Sequence, residues 1–277
     1  VRIDLHSHSS ASDGTDPPAE VMRRARAAGL DVIALTDHDT LGGQDEARAA
    51  LPPGLTLVTG MELSSRLDSR SVHLLSYLPH GMNAELAAET QAIRDDRLRR
   101  ARDMVARLRD LGVDISWDQV AELAGEGSVG RPHIARAMVA AGAISTPAEA
   151  FTDEWIGAGG RAYVSRYALS PARAVALVRG SGGAVVLAHP GAVSRGWRIP
   201  DDAIAGLAGA GLAGLEVDHP DHDAAERERL RELAAGLGLL TTGGSDDHGR
   251  LTGHRLGAET TSPEAFGQLM SCCQLPT

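Results

Sequence analysis

Two histidines one residue apart, His6 and His8 in Ile3-Asp4-Leu5-His6-Ser7-His8, are the first residues in this chain whose types and spacing allow chemistry. In an extended strand alternate side chains share a face, so Asp4, His6 and His8 point one way and Ile3 and Leu5 the other. Imidazole is the commonest metal ligand, and Asp13, beyond a Ser-rich turn, can return a carboxylate to the same spot. Alone, a His-x-His pair reads equally well as surface decoration. Further donors decide the matter: His38, Glu62, His189, Asp246 and His248, each at or near the carboxyl end of a short apolar run, and His73 at the start of another. A single histidine at a strand end is more often hydrogen-bonded or solvated than metal-bound. Nine such groups after successive strands point to multinuclear metal binding. The donors are nitrogen and oxygen without sulfur, a set that suits manganese, iron or zinc better than a magnesium site ligated by oxygen alone.

The elements that must position these groups follow from hydrophobic pattern. A helix is expected from Ala19 to Ala28, with Val21, Met22 and Ala25 as its apolar stripe and Gly29 as its stop. Asp31 to Thr36 reads as a buried parallel strand delivering Asp37-His38-Asp39, and Leu55 to Met61 as a strand ending in Glu62. Val72 to Tyr77 places His73, Leu75 and Tyr77 on one face. The pattern then becomes helical, with a long charged helix from Asn83 to Leu111 and shorter ones at Trp117 to Leu123, Pro132 to Ala141 and Pro147 to Trp155. Strand and helix alternate again from Pro171. Ala184 to Ala188 delivers His189, Leu212 to Val217 precedes His219, and Leu239 to Thr242 delivers Asp246 and His248. Repeated strand and helix units imply parallel strands with right-handed crossovers and chemistry at their carboxyl ends. Ligands from early and late strands must meet, which favours a barrel over an open sheet.

The 277 residues suffice for one domain with an insertion or for two modest domains. No apolar run is long enough to span a bilayer, and the first residues already read as a functional strand, so a cytoplasmic protein with no membrane association is expected. A net charge of −10 argues against a stable nucleic-acid partner while allowing a local basic pocket for phosphate. The only cysteines, Cys272 and Cys273, are adjacent, a poor placement for an ordinary disulfide and too few donors for a structural zinc site.

In order, His6-Ser7-His8 with Asp13, Thr36-Asp37-His38-Asp39-Thr40, Glu62, His73, Ala188-His189-Pro190 and Ser245-Asp246-Asp247-His248 resemble the successive motifs of the PHP (polymerase and histidinol phosphatase) superfamily. The helical insert and Gly130-Arg131-Pro132-His133-Ile134-Ala135 resemble its branch of nucleotide phosphatases, acting on AMP and 3′,5′-bisphosphates, and the exoribonuclease RNase AM. The resemblance implies an α/β fold, a distorted (β/α)7-type PHP barrel formed by residues 1–81 and 166–277, with a helical cap inserted over 82–165. It implies two or three divalent ions (manganese, iron or zinc): one held by His6, His8, Glu62 and Asp246, a second by Asp13, His38 and His248, and a third by Glu62, His73 and His189. Several relatives carry histidine where this chain has Asp13. The catalytic set implied is Asp13, His38, Glu62, Asp246 and His248.

Metals roughly 3.5–4 Å apart can share a water, lower its pKa, aim it in line at phosphorus and neutralise the phosphoryl oxygens. With the substrates that the resemblance implies, the expected reaction is hydrolysis of phosphate monoesters of small nucleotides, a nucleoside 3′,5′-bisphosphate or AMP, with a metal-bridged hydroxide as nucleophile. Arg131, His133 and Arg195 are candidates for gripping phosphate, since guanidinium offers a planar fork and histidine can donate as well. Otherwise they are solvated loop charges and a helix start. His219 either touches substrate and protonates the leaving oxygen or is a structural histidine. Asp37 and Asp39 are expected to orient the ligand histidine or its loop. The rival readings are a 5′-3′ exoribonuclease acting on short RNA with the same site, a histidinol-phosphate phosphatase, and a non-catalytic metal-binding module.

Overall fold

The computed structural model describes residues 1–68, 70–125, 129–192 and 197–274. Seven strands form one sheet whose spatial order is the chain order: β1 (Ile3–Asp4), β2 (Val32–Leu35), β3 (Thr56–Leu67), β4 (Arg70–Tyr77), β5 (Ala184–Leu187), β6 (Gly214–Asp218) and β7 (Leu240–Gly243). The ends of the sheet approach closure. Asp246 N–H donates to the His6 carbonyl at 2.9 Å, His8 N–H to the Asp247 carbonyl at 2.9 Å, and Ser7 forms a parallel bridge with Asp247. The result is a nearly closed seven-stranded barrel with helices between its strands, as the sequence implies.

β1, β2 and β3 run parallel, as do β5, β6 and β7, but β4 is antiparallel to both of its neighbours. This corrects the expectation of an all-parallel sheet. Leu67 pairs with Arg70, and a parallel return needs a crossover of about a dozen residues, whereas the link here is a tight hairpin. In consequence β3 does not end at Glu62 but runs through it, and Glu62 projects from mid-strand. β1 is also shorter than its alternation predicts. Asp4 Oδ1 takes the His6 N–H and Thr36 Oγ1 takes the Ser7 N–H, so side chains replace part of the ladder.

Both faces of the strands are buried, and the period of two sorts them. Val32 and Ala34 of β2 join Ile3, Leu5, Val58, Leu75, Tyr77, Ala184 and Val186 in one cluster, while Ile33 and Leu35 pack with Val21, Met22 and Ala25 of α1 (Pro18–Ala27). Tyr77 lies wholly within the first cluster, its hydroxyl donating to the Leu5 carbonyl at 3.1 Å. α2 (Gln44–Ala49) follows β2, and its Gln44 amide donates to the carbonyls of Leu35 and Gly60, tying the end of β2 to the middle of β3 near the site. Later helices are α6 (Pro171–Gly180), α7 (Asp201–Gly209), α8 (Ala224–Leu237) and α9 (Pro263–Ser271). Ser170 and Asp223 accept from the first-turn N–H groups of Arg173 and Glu226, and Gly238, at φ +67°, ends α8.

The chain divides into two compact units, residues 1–90 with 168–277, and residues 91–167. The first boundary lies inside α3 (Ala84–Asp110), because the start of that helix is tied to the barrel unit. Asn83 donates to the Gly180 carbonyl, Glu85 pairs with Arg173, and Leu86 is fully buried. The helical unit adds α4 (Trp117–Ala124), α5 (Arg131–Ala140) and a 3-10 turn at Pro147–Phe151 around its own core of Met104, Leu108, Val120, Ile134, Met138 and Ile156. Leu98 of α3 is exposed. Cys272 and Cys273 are free thiols, and among the described residues no helix is long and apolar enough to cross a membrane.

Candidate metal centre

Glu62 is the hub. Its Oε1 lies 2.8 Å from both His73 Nδ1 and His189 Nε2, and its Oε2 faces His38 Nδ1 at 3.1 Å, His8 Nε2 at 3.3 Å and His6 Nε2 at 3.5 Å. A carboxylate with 1% exposure thus meets five imidazoles drawn from four separate segments. Asp246 Oδ1 completes a second contact set, at 3.2 Å from His6 Nε2 and 3.3 Å from His8 Nε2, which are themselves 3.1 Å apart. Asp13 faces His248 Nε2 at 3.3 Å and both His8 Nδ1 and His38 Nε2 at 3.7 Å. His189 and Asp246 adopt φ of +30° and +48°, backbone conformations costly for non-glycine residues and recurrent at functional sites.

Three groups of donors are compact enough for an ion: His6, His8, Glu62 and Asp246; His8, Asp13, His38 and His248; and His38, Glu62 and His73. A tetrahedral ion bound at about 2.0–2.1 Å needs donors roughly 3.3–3.4 Å apart. The distances of 3.1 to 3.5 Å in the first group match that cage. A second observation fits as well: His8 Nδ1 is buried without a hydrogen bond and is turned towards Asp13 at 3.7 Å, a polar atom whose partner a cation between the two would supply. The third group contains His38, while His189 reaches the centre through Glu62.

The electrostatics favour positive charge throughout. Burial acts to depress His6, yet Glu216, Asp246 and Glu62 hold it well above its ordinary value, and Asp246, Glu62 and Asp13 likewise hold His8 up to about 10. Burial acts to raise Asp13, Glu62 and Asp246, and the surrounding imidazoles override it and hold all three well below the usual carboxylate range. Without metal, protons occupy the role that the centre offers to cations.

Several residues take supporting roles that the sequence does not assign them. Glu216 of β6 accepts from His6 Nδ1 at 2.9 Å and from the His189 N–H at 2.8 Å. Asp4 accepts the N–H groups of His6, Ser245 and Gly257 and so clamps the two ends of the barrel together. Asp247 accepts the N–H groups of Gly249 and Arg255. A signal existed: a lone carboxylate among fully buried strand residues, as Glu216 is in Gly214-Leu215-Glu216-Val217, has to be paired to be tolerated. Asp37 accepts from Ser9 and Ser12, and Asp39 from the Ser64 N–H, so both hold segments beside the candidate ligands.

His219 joins the centre, its Nε2 lying 3.2 Å from Asp246 Oδ2. Its Nδ1 accepts the Asp221 N–H at 3.1 Å, which leaves the ring proton on Nε2. Arg131 and His133 open α5 in the helical unit. His133 Nδ1 accepts the Gly130 N–H in a cap, and the Arg131 guanidinium lies over the Phe151 ring. Burial lowers the Arg131 pKa. Arg100, unremarked in the sequence, is lowered to about 10 by burial and by the neighbouring charges of Arg131, Arg166 and Arg97. Arg195 lies outside the described residues.

A model of the PHP domain matches residues 4–113. The chain is 35% identical over 261 residues to the 3′,5′-nucleoside bisphosphate phosphatase of Chromobacterium violaceum, covering 92% of this chain and 91% of that protein. It is 32% identical over 248 residues to a 5′-3′ exoribonuclease of Haemophilus influenzae, covering 89% and 90%. A crystal structure from Bifidobacterium adolescentis, of a protein classed as a metal-dependent phosphoesterase, superposes with a TM-score of 0.88 at 36% identity, covering 98% of this chain and 96% of that one. The chain belongs to the PHP domain family. Within it, the protein is an enzyme of the metal-dependent phosphoesterase type.

Proposed function

We propose that this protein hydrolyses phosphate monoesters of small nucleotides, with a nucleoside 3′,5′-bisphosphate as the leading substrate and AMP as a second. The observation that carries the proposal is the cage around Glu62, where five imidazoles converge on one buried carboxylate and the donor spacing suits divalent ions. We assign one ion to His6, His8, Glu62 and Asp246, a second to Asp13, His38 and His248, and a third to Glu62 and His73 with His189. When bound, two or three such ions, of manganese, iron or zinc, supply Lewis acidity that activates water and neutralises phosphoryl oxygens.

The chain's own groups do the rest. Glu62, Asp13 and Asp246 balance the positive charge of the ions and fix the ligand rings around them. His219 directs an Nε2 N–H beside Asp246, where it can hydrogen-bond the departing oxygen and, when the ring is the imidazolium, pass it a proton as the ester bond breaks, returning to neutral imidazole. Arg131 and His133, with Arg100 beside them electrostatically, are the groups we assign to gripping phosphate. No nucleophilic side chain is required.

The second reading, stepwise 5′-3′ removal of nucleotides from short RNA, is favoured by the likeness to the Haemophilus exoribonuclease. The chemistry at phosphorus would use the same centre. Incubation with adenosine 3′,5′-bisphosphate, AMP and a 5′-phosphorylated oligoribonucleotide separates the two. Phosphate release confined to the mononucleotides supports the first, and a ladder of shortened RNA at a comparable rate replaces it with the second.

A further inference from the structure

His6 follows β1 and His189 follows β5, and one side chain on β6 touches both. Glu216 is buried, with 1% of its surface exposed. Its Oε1 accepts from His6 Nδ1 at 2.9 Å, which keeps a proton on that nitrogen and turns Nε2, the atom able to ligate once its own proton is shed, towards His8, Glu62 and Asp246. Its Oε2 accepts the His189 N–H at 2.8 Å and so holds that residue in its left-handed conformation at φ +30°. That backbone turn delivers His189 Nε2 to Glu62. Gly244 makes room for the arrangement, since a Cβ there would stand 2.4 Å from His6 Cβ and 3.0 Å from Glu216 Oε1.

We propose that Glu216 is a positioning residue that sets two imidazoles of the metal centre at once while binding no metal itself. The inference rests on the reading of the cluster as a metal centre. It requires both carboxylate oxygens. In Glu216→Gln the amide oxygen still accepts from His6, but the amide NH2 then meets the His189 N–H donor against donor, and one of the two bonds is lost. Glu216→Ala loses both.

The test is metal affinity. Metal-stripped wild type, E216Q and E216A are titrated with manganese and with zinc against a chromophoric chelator, and their folding is followed by circular dichroism. E216Q is expected to bind roughly 10–100-fold more weakly than wild type, the range for outer partners of ligand histidines, and E216A more weakly still. Turnover by E216Q should recover at high metal concentration. A merely structural glutamate would lower the melting temperature and leave the affinity of the folded fraction unchanged, and that result overturns the proposal. Wild-type protein that takes up no metal would overturn the reading of the centre instead. If E216A does not fold, E216Q and Glu216→Asp decide, the aspartate being too short to reach both partners.

Discussion

Raising the pH should destabilise the protein once its metal is stripped. His8, buried among Asp246, Glu62 and Asp13, has a pKa of about 10 in the folded chain against 6.5 when exposed. A pKa raised by folding contributes stability that is complete below the unfolded value and is lost as pH rises through the folded one. Between pH 7 and 9 the metal-free protein therefore loses about 1.4 kcal/mol per pH unit from His8 alone, or roughly 3 kcal/mol over the interval. His6, raised for similar reasons, adds in the same direction. The depressed carboxylates Asp13, Glu62 and Asp246 have the opposite sign. Their contribution is present above the unfolded values and is lost only as pH falls through the folded ones, so it stays constant in this window. His222, depressed by burial, is largely neutral in both states above pH 7. At about 2–4 °C per kcal/mol for a domain of this size, chelator-treated protein should melt roughly 6–12 °C lower at pH 9 than at pH 7 in differential scanning calorimetry. Metal binding should tighten over the same interval, because the ligands must shed those protons. A metal-free melting temperature that is flat or rises from pH 7 to 9 refutes this description of the centre's electrostatics.

His8→Ala should abolish turnover and reduce bound metal while retaining the circular dichroism of the fold, and near-normal activity would refute the assignment of His8. Glu62→Gln removes the one anion common to five imidazoles, so its metal content should fall further than that of Asp13→Asn, as elemental analysis after dialysis will read. His219→Gln should lower kcat about 10²–10⁴-fold on nucleotide substrates and much less on p-nitrophenyl phosphate, whose leaving group needs no proton. Equal losses on both would remove His219 from proton transfer. Gly244→Ala forces a Cβ against His6 and should cost about 1–3 kcal/mol by denaturant unfolding, together with a loss of metal affinity.

Much of the barrel was legible because the strands are short apolar runs punctuated by glycine, proline and capping residues, and because donors recur at their ends. His6, His8, His38, His189, Asp246 and His248 could be read that way. Strand direction was not legible. The sequence of β3 and β4 does not itself mark a hairpin, and only pairing of Leu67 with Arg70 reveals that Glu62 sits in mid-strand. Outer partners were the other blind spot. Asp37 and Asp39 flank the candidate ligand His38 and invited attention, whereas Glu216 and Asp4 act through partners far away in sequence, at positions 6, 189, 245 and 257. Arg100 gave no sign in the sequence, since one arginine among many on a charged helix looks solvated until its neighbours are in place.

The most direct measurement is phosphate release from adenosine 3′,5′-bisphosphate by one preparation in three states: stripped of metal, reconstituted in turn with manganese, iron or zinc, and stripped again. Release that appears on reconstitution, disappears on stripping and tracks the bound metal is the predicted result. Release that persists undiminished in the stripped protein, or that fails with every metal although metal is bound, would contradict it.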